Sequence, residues 1–222
     1  MAGAQQAILL SSAGGVLFKA FLAFDAVGPP GTTITFVGRP LGDAAANRRI
    51  IAVAFTDFTG ATPTLSTATI GGIAAVIVVA GTGNLAATHR QHAAIILAEV
   101  PTGTTGNYVF NFSQTVQGTR IGIWSVIGMS TNTPTSTGYQ GTAGSPNSVT
   151  LNTTLGSFVI GGCAFQDAGT MVLSGGVSTD ADVGDAIYFS ASNTAAGSLS
   201  PSFTINTGVS NSHGIIGASW PP

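Results

Sequence analysis

A chain of 222 residues with only 6% charged side chains and a formal net charge of -2 lacks the basic stripe that phosphate backbones require, so direct nucleic-acid binding is excluded as an expectation. Polarity rests on Thr, Ser, Asn and Gly, and so weak a net charge leaves little repulsion between copies, which favours self-association. Mean hydropathy is +0.44, yet the longest apolar stretch, "IGGIAAVIVVA", falls far short of the roughly 20 residues a spanning helix needs, and the Phe and Trp residues show no banding into girdles.

The N-terminal "MAGAQQAILLSSAGGVLFKAF" has no basic n-region, so the chain is expected to be made and used without classical export and without a membrane partner. Residues 1–30 read as an N-terminal arm or first strand, with strand character over 15–24. The prolines of "GPPG" at 28–31 stiffen the chain and remove two donors, which would set an arm apart from the domain at 31–222. Apolar residues such as Leu9, Leu17, Phe21 and Phe24 would then form a patch that anchors the chain to another subunit, so that deleting 1–27 would leave a folded domain unable to incorporate.

Short runs of Val, Ile, Phe and Thr between Gly, Pro, Asn and Ser clusters continue to the C-terminus. Strands are expected at 32–38, 49–55, 64–70, 73–79, 92–98, 107–113, 119–127, 147–151, 157–165, 170–174, 186–191, 201–206 and 213–219. The only helical leaning past the N-terminus is "LGDAAANRR", a turn or two, and 31 glycines argue against long helices. "RIIAVAF" is apolar on both faces and belongs centrally in a sheet. Gly71-Gly72 supplies the positive φ of a tight hairpin, which makes "TLSTATI" and "IAAVIVV" antiparallel partners. In "NYVFNFS", Tyr108, Phe110 and Phe112 share one face while Asn107, Val109 and Asn111 share the other. The whole is an all-β chain: an antiparallel β-sandwich, jelly-roll-like, with little helix.

The stretch "STNTPTSTGYQGTAGSPNS" at 130–148 reads as an exposed loop or as the boundary between two lobes. Two echoes cross that boundary: "IIAVAFTD" ending at Asp57 is similar to "IGGCAFQD" ending at Asp167, and "GIWSVIG" around Trp124 to "GIIGASW" ending at Trp220. They fit an old duplication, coincidence in a low-complexity β chain, or strands in equivalent places of two sheets.

Several motifs invite chemistry. "VIVVAGTGNLA" with Gly81 and Gly83, followed by Glu99, has the outline of a dinucleotide fingerprint, but only "NLAATHRQ" separates the turn from the next apolar run. That is too short for a helical crossover, so the glycines are expected in a hairpin or loop between antiparallel strands. His89 and His92 lie three apart, on opposite faces of a strand, and His213 is the only other histidine, so no metal site is expected. Asp180, Asp182 and Asp185 around Gly184 have calcium-loop character, but Ala191 stands where the closing glutamate belongs. Cys163 stands alone in an apolar run and is expected to be buried. No G-x-S-x-G elbow occurs, and the eight acids are scattered, most of them in turns. Catalytic, cofactor and metal residues are therefore all expected to be none, and the chain is not expected to be an enzyme.

Taken in order, "FVGRPLGDAAANRRIIAVAF", "ATIGGIAAVIVV", "AAIILAEVPTGTTGNYVFNFS" and "RIGIWSVIGM" resemble a set of poorly characterised β-rich structural proteins of tailed bacteriophages and prophages. The resemblance spans roughly residues 33–128, with Gly42 before "NRR", the Gly71-Gly72 turn, and Pro101, Gly103 and Gly106 as its most specific pieces. It implies a virion structural component (head decoration, spike, fibre or tail) displayed in many copies, and with no catalytic motif a non-enzymatic one is expected; the weak charge and the apolar arm add the expectation of contacts with copies of the chain, a trimer first among the arrangements, or with other virion proteins. The alternative is a carbohydrate-binding or adhesive module in which Trp124, Tyr139 or Trp220 would stack on host glycans. Circular dichroism of the isolated chain is expected to show β structure with little helix; a helical fraction above about a quarter would exclude the sandwich.

Overall fold

The computed structural model describes the backbone of residues 11–12, 15–16, 18–27, 30–84, 90–141, 147–154, 156–165, 170–174, 179–182, 187–193, 202–206 and 213–222. Side chains are described within 19–26, 30–83, 90–141, 148–154, 156–164 and 214–222. A short hairpin, β1 (Ser11–Ser12) with β2 (Gly15–Val16), precedes β3 (Phe18–Val27), β4 (Gly31–Pro40), β5 (Arg48–Phe58), β6 (Leu65–Ile70), β7 (Ile73–Ala74), β8 (Val76–Asn84), β9 (Arg90–Glu99), β10 (Thr105–Val116) and β11 (Gly118–Ile127). β12 (Ser136–Gln140), β13 (Asn147–Thr150), β14 (Phe158–Phe165), β15 (Thr170–Ser174), β16 (Thr179–Asp182), β17 (Ile187–Asn193), β18 (Ser202–Asn206) and β19 (His213–Trp220) follow. All described elements are strands, and all their pairings are antiparallel.

β3 to β11 build a first sandwich. Its outer sheet has the order β4-β10-β6-β7 and its inner sheet the order β3-β11-β5-β9-β8. Alternation along β10 works as its sequence requires: Tyr108, Phe110 and Phe112 are buried toward the inner sheet, where they meet Ile34, Phe36, Ala52 and Ile96, while Asn107 is exposed on the other side. Phe36 and Phe110 meet edge to face at 6.0 Å between centroids.

Gly71 and Gly72, with φ of 59° and 83°, make the tight turn that their sequence calls for, and Ile70 faces Ile73 across it. The expected partnership of 64–70 with 73–79 is nevertheless corrected, because the pairing ends at Ala74. The Ala75 N–H still donates to the Ala68 carbonyl at 2.9 Å, and from Val76 the chain crosses to the inner sheet to pair with β9. A bulge between Ile77 and Val79 then turns both Val78 and Val79 away from the first core, toward the second sandwich.

The N-terminal stretch expected to be separable at "GPPG" is an integral strand over Phe18–Val27. It pairs with β11 from Phe18–Ile127 to Val27–Thr119. A bulge at Ile123/Trp124 puts Leu22 and Ala23 against the first core and leaves Phe21 and Phe24 on the opposite face, where Phe21 meets Trp124 edge to face at 5.2 Å. Residues 1–10, including Leu9, lie outside the described residues.

The second sandwich is built from the 130–148 region onward, and that region itself contributes β12, a strand its Thr/Ser/Gly composition did not announce. Its inner sheet has the order β12-β19-β14-β17-β16 and its outer sheet β13-β18-β15. The two inner sheets face each other. Ile51, Val53, Phe55, Ala93, Ile95, Leu97, Trp124 and Val126 from the first pack against Phe158, Ile160, Ala164, Ile216, Ala218 and Trp220 from the second. β5 is therefore buried on both faces, and the expectation that it lies centrally in its sheet holds in the stacking direction as well.

Removing residues 1–27 takes away this edge strand and uncovers Trp124 and Ile123. The truncated chain is expected to lose its cooperative thermal transition and to precipitate; a soluble truncation with an unchanged melt followed by near-ultraviolet circular dichroism would contradict the placement.

Candidate functional site

The densest set of polar contacts lies at the start of β5, where consecutive arginines point to opposite faces of the inner sheet. Arg48 is fully buried. Its Nε donates to the Val100 carbonyl at 2.7 Å, Nη1 to Gly42 at 2.7 Å, and Nη2 to Thr102 at 2.7 Å and Gly103 at 2.8 Å. The guanidinium thus clasps the β4–β5 loop to the β9–β10 loop through carbonyl dipoles alone, and burial lowers its pKa, with Tyr108 and Asp43 opposing. Removing one such buried hydrogen-bonding centre typically costs a few kcal/mol, because its partners stay desolvated.

Arg49 faces the second sandwich. It donates to the Met129 carbonyl at 2.5 Å, to Asn132 Oδ1, and to Glu99 Oε1 at 3.3 Å. Asn132 Nδ2 donates to the same Glu99 oxygen at 2.9 Å, and Trp220 Nε1 donates to the Asn132 carbonyl at 3.1 Å. Glu99, a ribose-binding acid in the dinucleotide sketch, is instead an acceptor in the joint between the sandwiches.

The other arginines are also engaged within the chain. Arg39 pairs with Asp25, Arg120 Nη1 with Asp57 Oδ2 at 2.5 Å, and Arg90 Nη1 donates to the Gly60 carbonyl at 2.6 Å.

Gly81 and Gly83 lie inside β8, opposite Ala93 and Gln91 of β9, and not in a hairpin turn or loop as their composition implied. What demands glycine at 81 is a neighbour far along the chain: a Cβ there would lie 2.1 Å from the Tyr139 ring. Cβ atoms at Gly141 and Gly214 would likewise meet Gly83 Cα at 2.7 Å and Gln91 Oε1 at 2.7 Å, so bare backbone lets β12 and β19 settle closely on β8 and β9. The Tyr139 hydroxyl and Gln91 Oε1 are buried in this corner with no hydrogen-bond partner among the described residues, and burial raises the Tyr139 pKa, keeping the phenol neutral.

The aromatics proposed as a sugar platform are corrected by the same packing. Trp124 and Trp220 are completely buried between the sandwiches, and Tyr139 leans on that core. Cys163 is buried as expected. His92 is buried on the first-sandwich side of β9, 5.6 Å edge-on from Phe112, while β19, which begins at His213, packs on the opposite side of β9. His89, Asp185 and Gly184 lie outside the described residues, as do the side chains of Asp180 and Asp182 in β16; no metal-binding cluster occurs among the described residues.

Sequence reading missed a polar row across the inner sheet. Thr119 pairs with Thr56, Thr56 with His92 and His92 with Thr82, and the Thr56 and Thr119 hydroxyls share a buried hydrogen bond of 2.9 Å. Three hydroxyl residues and a histidine near strand ends are an ordinary composition, and only the register brings them together. Searches of family models, curated proteins and solved structures find no match to this chain.

Gly81→Ala is expected to destabilise by about 1–3 kcal/mol through collision with Tyr139, and Tyr139→Ala in the same chain should recover part of that loss. Additive effects in a double-mutant melting cycle would refute the contact.

Burial also lowers the His92 pKa from 6.5 to about 4. The unfolded chain takes up this proton near pH 6.5 and the folded chain only near 4. The stability it protects is thus complete above pH 6.5 and lost as pH falls toward 4, by roughly 3 kcal/mol in all. Urea melts from pH 7 to 4 should show that slope, and His92→Gln should flatten it.

Proposed function

We propose that this chain is a non-enzymatic structural component of a tailed-bacteriophage or prophage virion, acting through contacts with copies of itself and with other virion proteins. The observation that carries the reading is where the charged groups go: each arginine holds the fold, and the outer sheet presents hydroxyls and amides. On that sheet Thr33 Oγ1 donates to Asn111 Oδ1 at 2.9 Å, and Asn111 Nδ2 donates to Thr67 Oγ1 at 3.0 Å, so the polar groups satisfy one another across three strands. Val37, 67% exposed, stands on the same face.

A neutral, internally bonded face loses little on desolvation and suits protein contact better than phosphate or ion capture. Two further lines support the reading. One is the resemblance over residues 33–128. The other is strand order: with β3, β4, β5, β6, β7–β8, β9, β10 and β11 counted as first to eighth, the outer sheet reads second-seventh-fourth with only the short β7 end of the fifth, and the inner sheet first-eighth-third-sixth-fifth, a jelly-roll path with the body of its fifth strand moved to the inner sheet; the jelly roll is an architecture used by viral capsid and lectin domains. That second line is fold analogy and carries no site chemistry. The glycan reading has no comparable support, since the aromatics it named are enclosed.

The test is quantitative mass spectrometry of gradient-purified particles from cells that encode the chain. Several copies per particle are expected, with a trimer by light scattering of the isolated protein; particles that assemble and infect without it would refute the proposal.

A further inference from the structure

Both sandwiches trace one path. Numbered from first to eighth, the strands of the first unit are β3, β4, β5, β6, β8, β9, β10 and β11, with β7 the leading end of the fifth; those of the second are β12 to β19 in turn. Each inner sheet then reads first-eighth-third-sixth-fifth, and each outer sheet second-seventh-fourth. We infer that the chain is a covalent dimer of one eight-stranded unit, residues 18–127 and 136–220, and that the inner sheet is the surface by which each unit binds a second copy, about a twofold axis running along the strands.

An isologous contact makes a geometric demand. A half-turn about an axis along the strands, between the two third strands, keeps strand direction and reverses lateral order. It must set third on third, eighth on sixth and first on fifth. β14 lies on β5, β19 on β9 and the adjoining β8, and β12 on β8; this is the closely approaching flank, and the reciprocal pairs, β17 on β11 and β16 on β3, stand farther apart. Direction agrees: Tyr139 sits at Gly81 and Gly141 at Gly83, so the chain leaving β12 runs the same way as β8.

The connection fits as well. From the end of β11 to the start of β12 the chain must pass about three strand spacings and one sheet spacing, roughly 17 Å, and residues 128–135 reach at most about 28 Å. Its contacts mark the route, with Met129 at Arg49 on the third strand, then Asn132 at Glu99 on the sixth.

Of the two sequence echoes, the one on the eighth strands keeps its faces: Trp124 and Val126 correspond to Ile216 and Ala218, all four in the core between the units. The echo on the third strands is one residue out of phase. Val53 faces that core, whereas Ile160 and Ala164 do so in β14, which turns Cys163 to the other side. Strand path and packing carry the inference, and the similar letters on the third strands do not.

A crystal structure of the full chain tests the geometry: superposing β3–β11 on β12–β19 should require a rotation close to a half-turn about an axis along the strands, and any other rotation or strand match overturns it. In solution, a protease site inserted after the exposed Thr133 tests the surface. The cut halves should co-elute at the mass of the intact chain with unchanged circular dichroism, and Gly81→Trp in the cut chain should release them. Halves that part on cutting alone, or stay joined despite Gly81→Trp, would overturn the assignment.

Discussion

The inner sheet of the first sandwich is covered on both faces, and that leaves β5, β9 and β11 no side on which to place a polar residue except near their ends. Residues 50 to 55 of β5 are accordingly apolar at every position, and each fully buried Ile, Val or Phe adds on the order of 1.5–3 kcal/mol. Polarity collects where the strands begin and finish. Arg48 and Arg49 stand at one end of β5, Thr56 and Asp57 at the other. Because neighbouring residues of a strand face opposite ways, the two arginines serve different joints: one closes loops of the first sandwich, and the other holds the segment that leads into the second.

Much of this was legible in the sequence, for physical reasons that can be named. Gly, Pro and Asn punctuate the chain so regularly that most strands fall where the apolar runs are, and the doubly apolar "RIIAVAF" announced its central place. What stayed hidden depends on contacts between distant residues. Gly81 could not be separated from a turn glycine without Tyr139, which sits on it from another sheet. The crossing after Ala75 was masked because "IAAVIVV" reads as one strand although its first three residues bond to one sheet and its last four belong to another. β12 was hidden for the opposite reason: Gly138 and Gly141 look like loop residues, but a Cβ at Gly138 would lie 2.5 Å from Val149.

A similar mismatch between composition and role affects the candidate chemistry. Histidine, acid and paired arginines together would ordinarily mark a reactive site. Here His92 is held neutral by burial, Glu99 and Asp57 accept from arginines, and Arg48 meets carbonyl oxygens. The arginines of this chain, with Asp25, Asp57 and Glu99, act as fasteners between loops and layers, and hydroxyls and amides face outward on the outer sheet of the first sandwich. The proposed assembly role follows from that division of labour.

The placement of the two tryptophans gives the molecule an optical property. Trp124 and Trp220 both belong to the core between the sandwiches, and neither lies in the interior of the first sandwich. Intrinsic emission from this protein is therefore a gauge of how closely the two halves are pressed together, blind to the melting of the first half's interior as long as that contact holds. Denaturation curves read by emission and by far-ultraviolet dichroism need not coincide, and the gap between them would measure how far the halves come apart before either loses its strands.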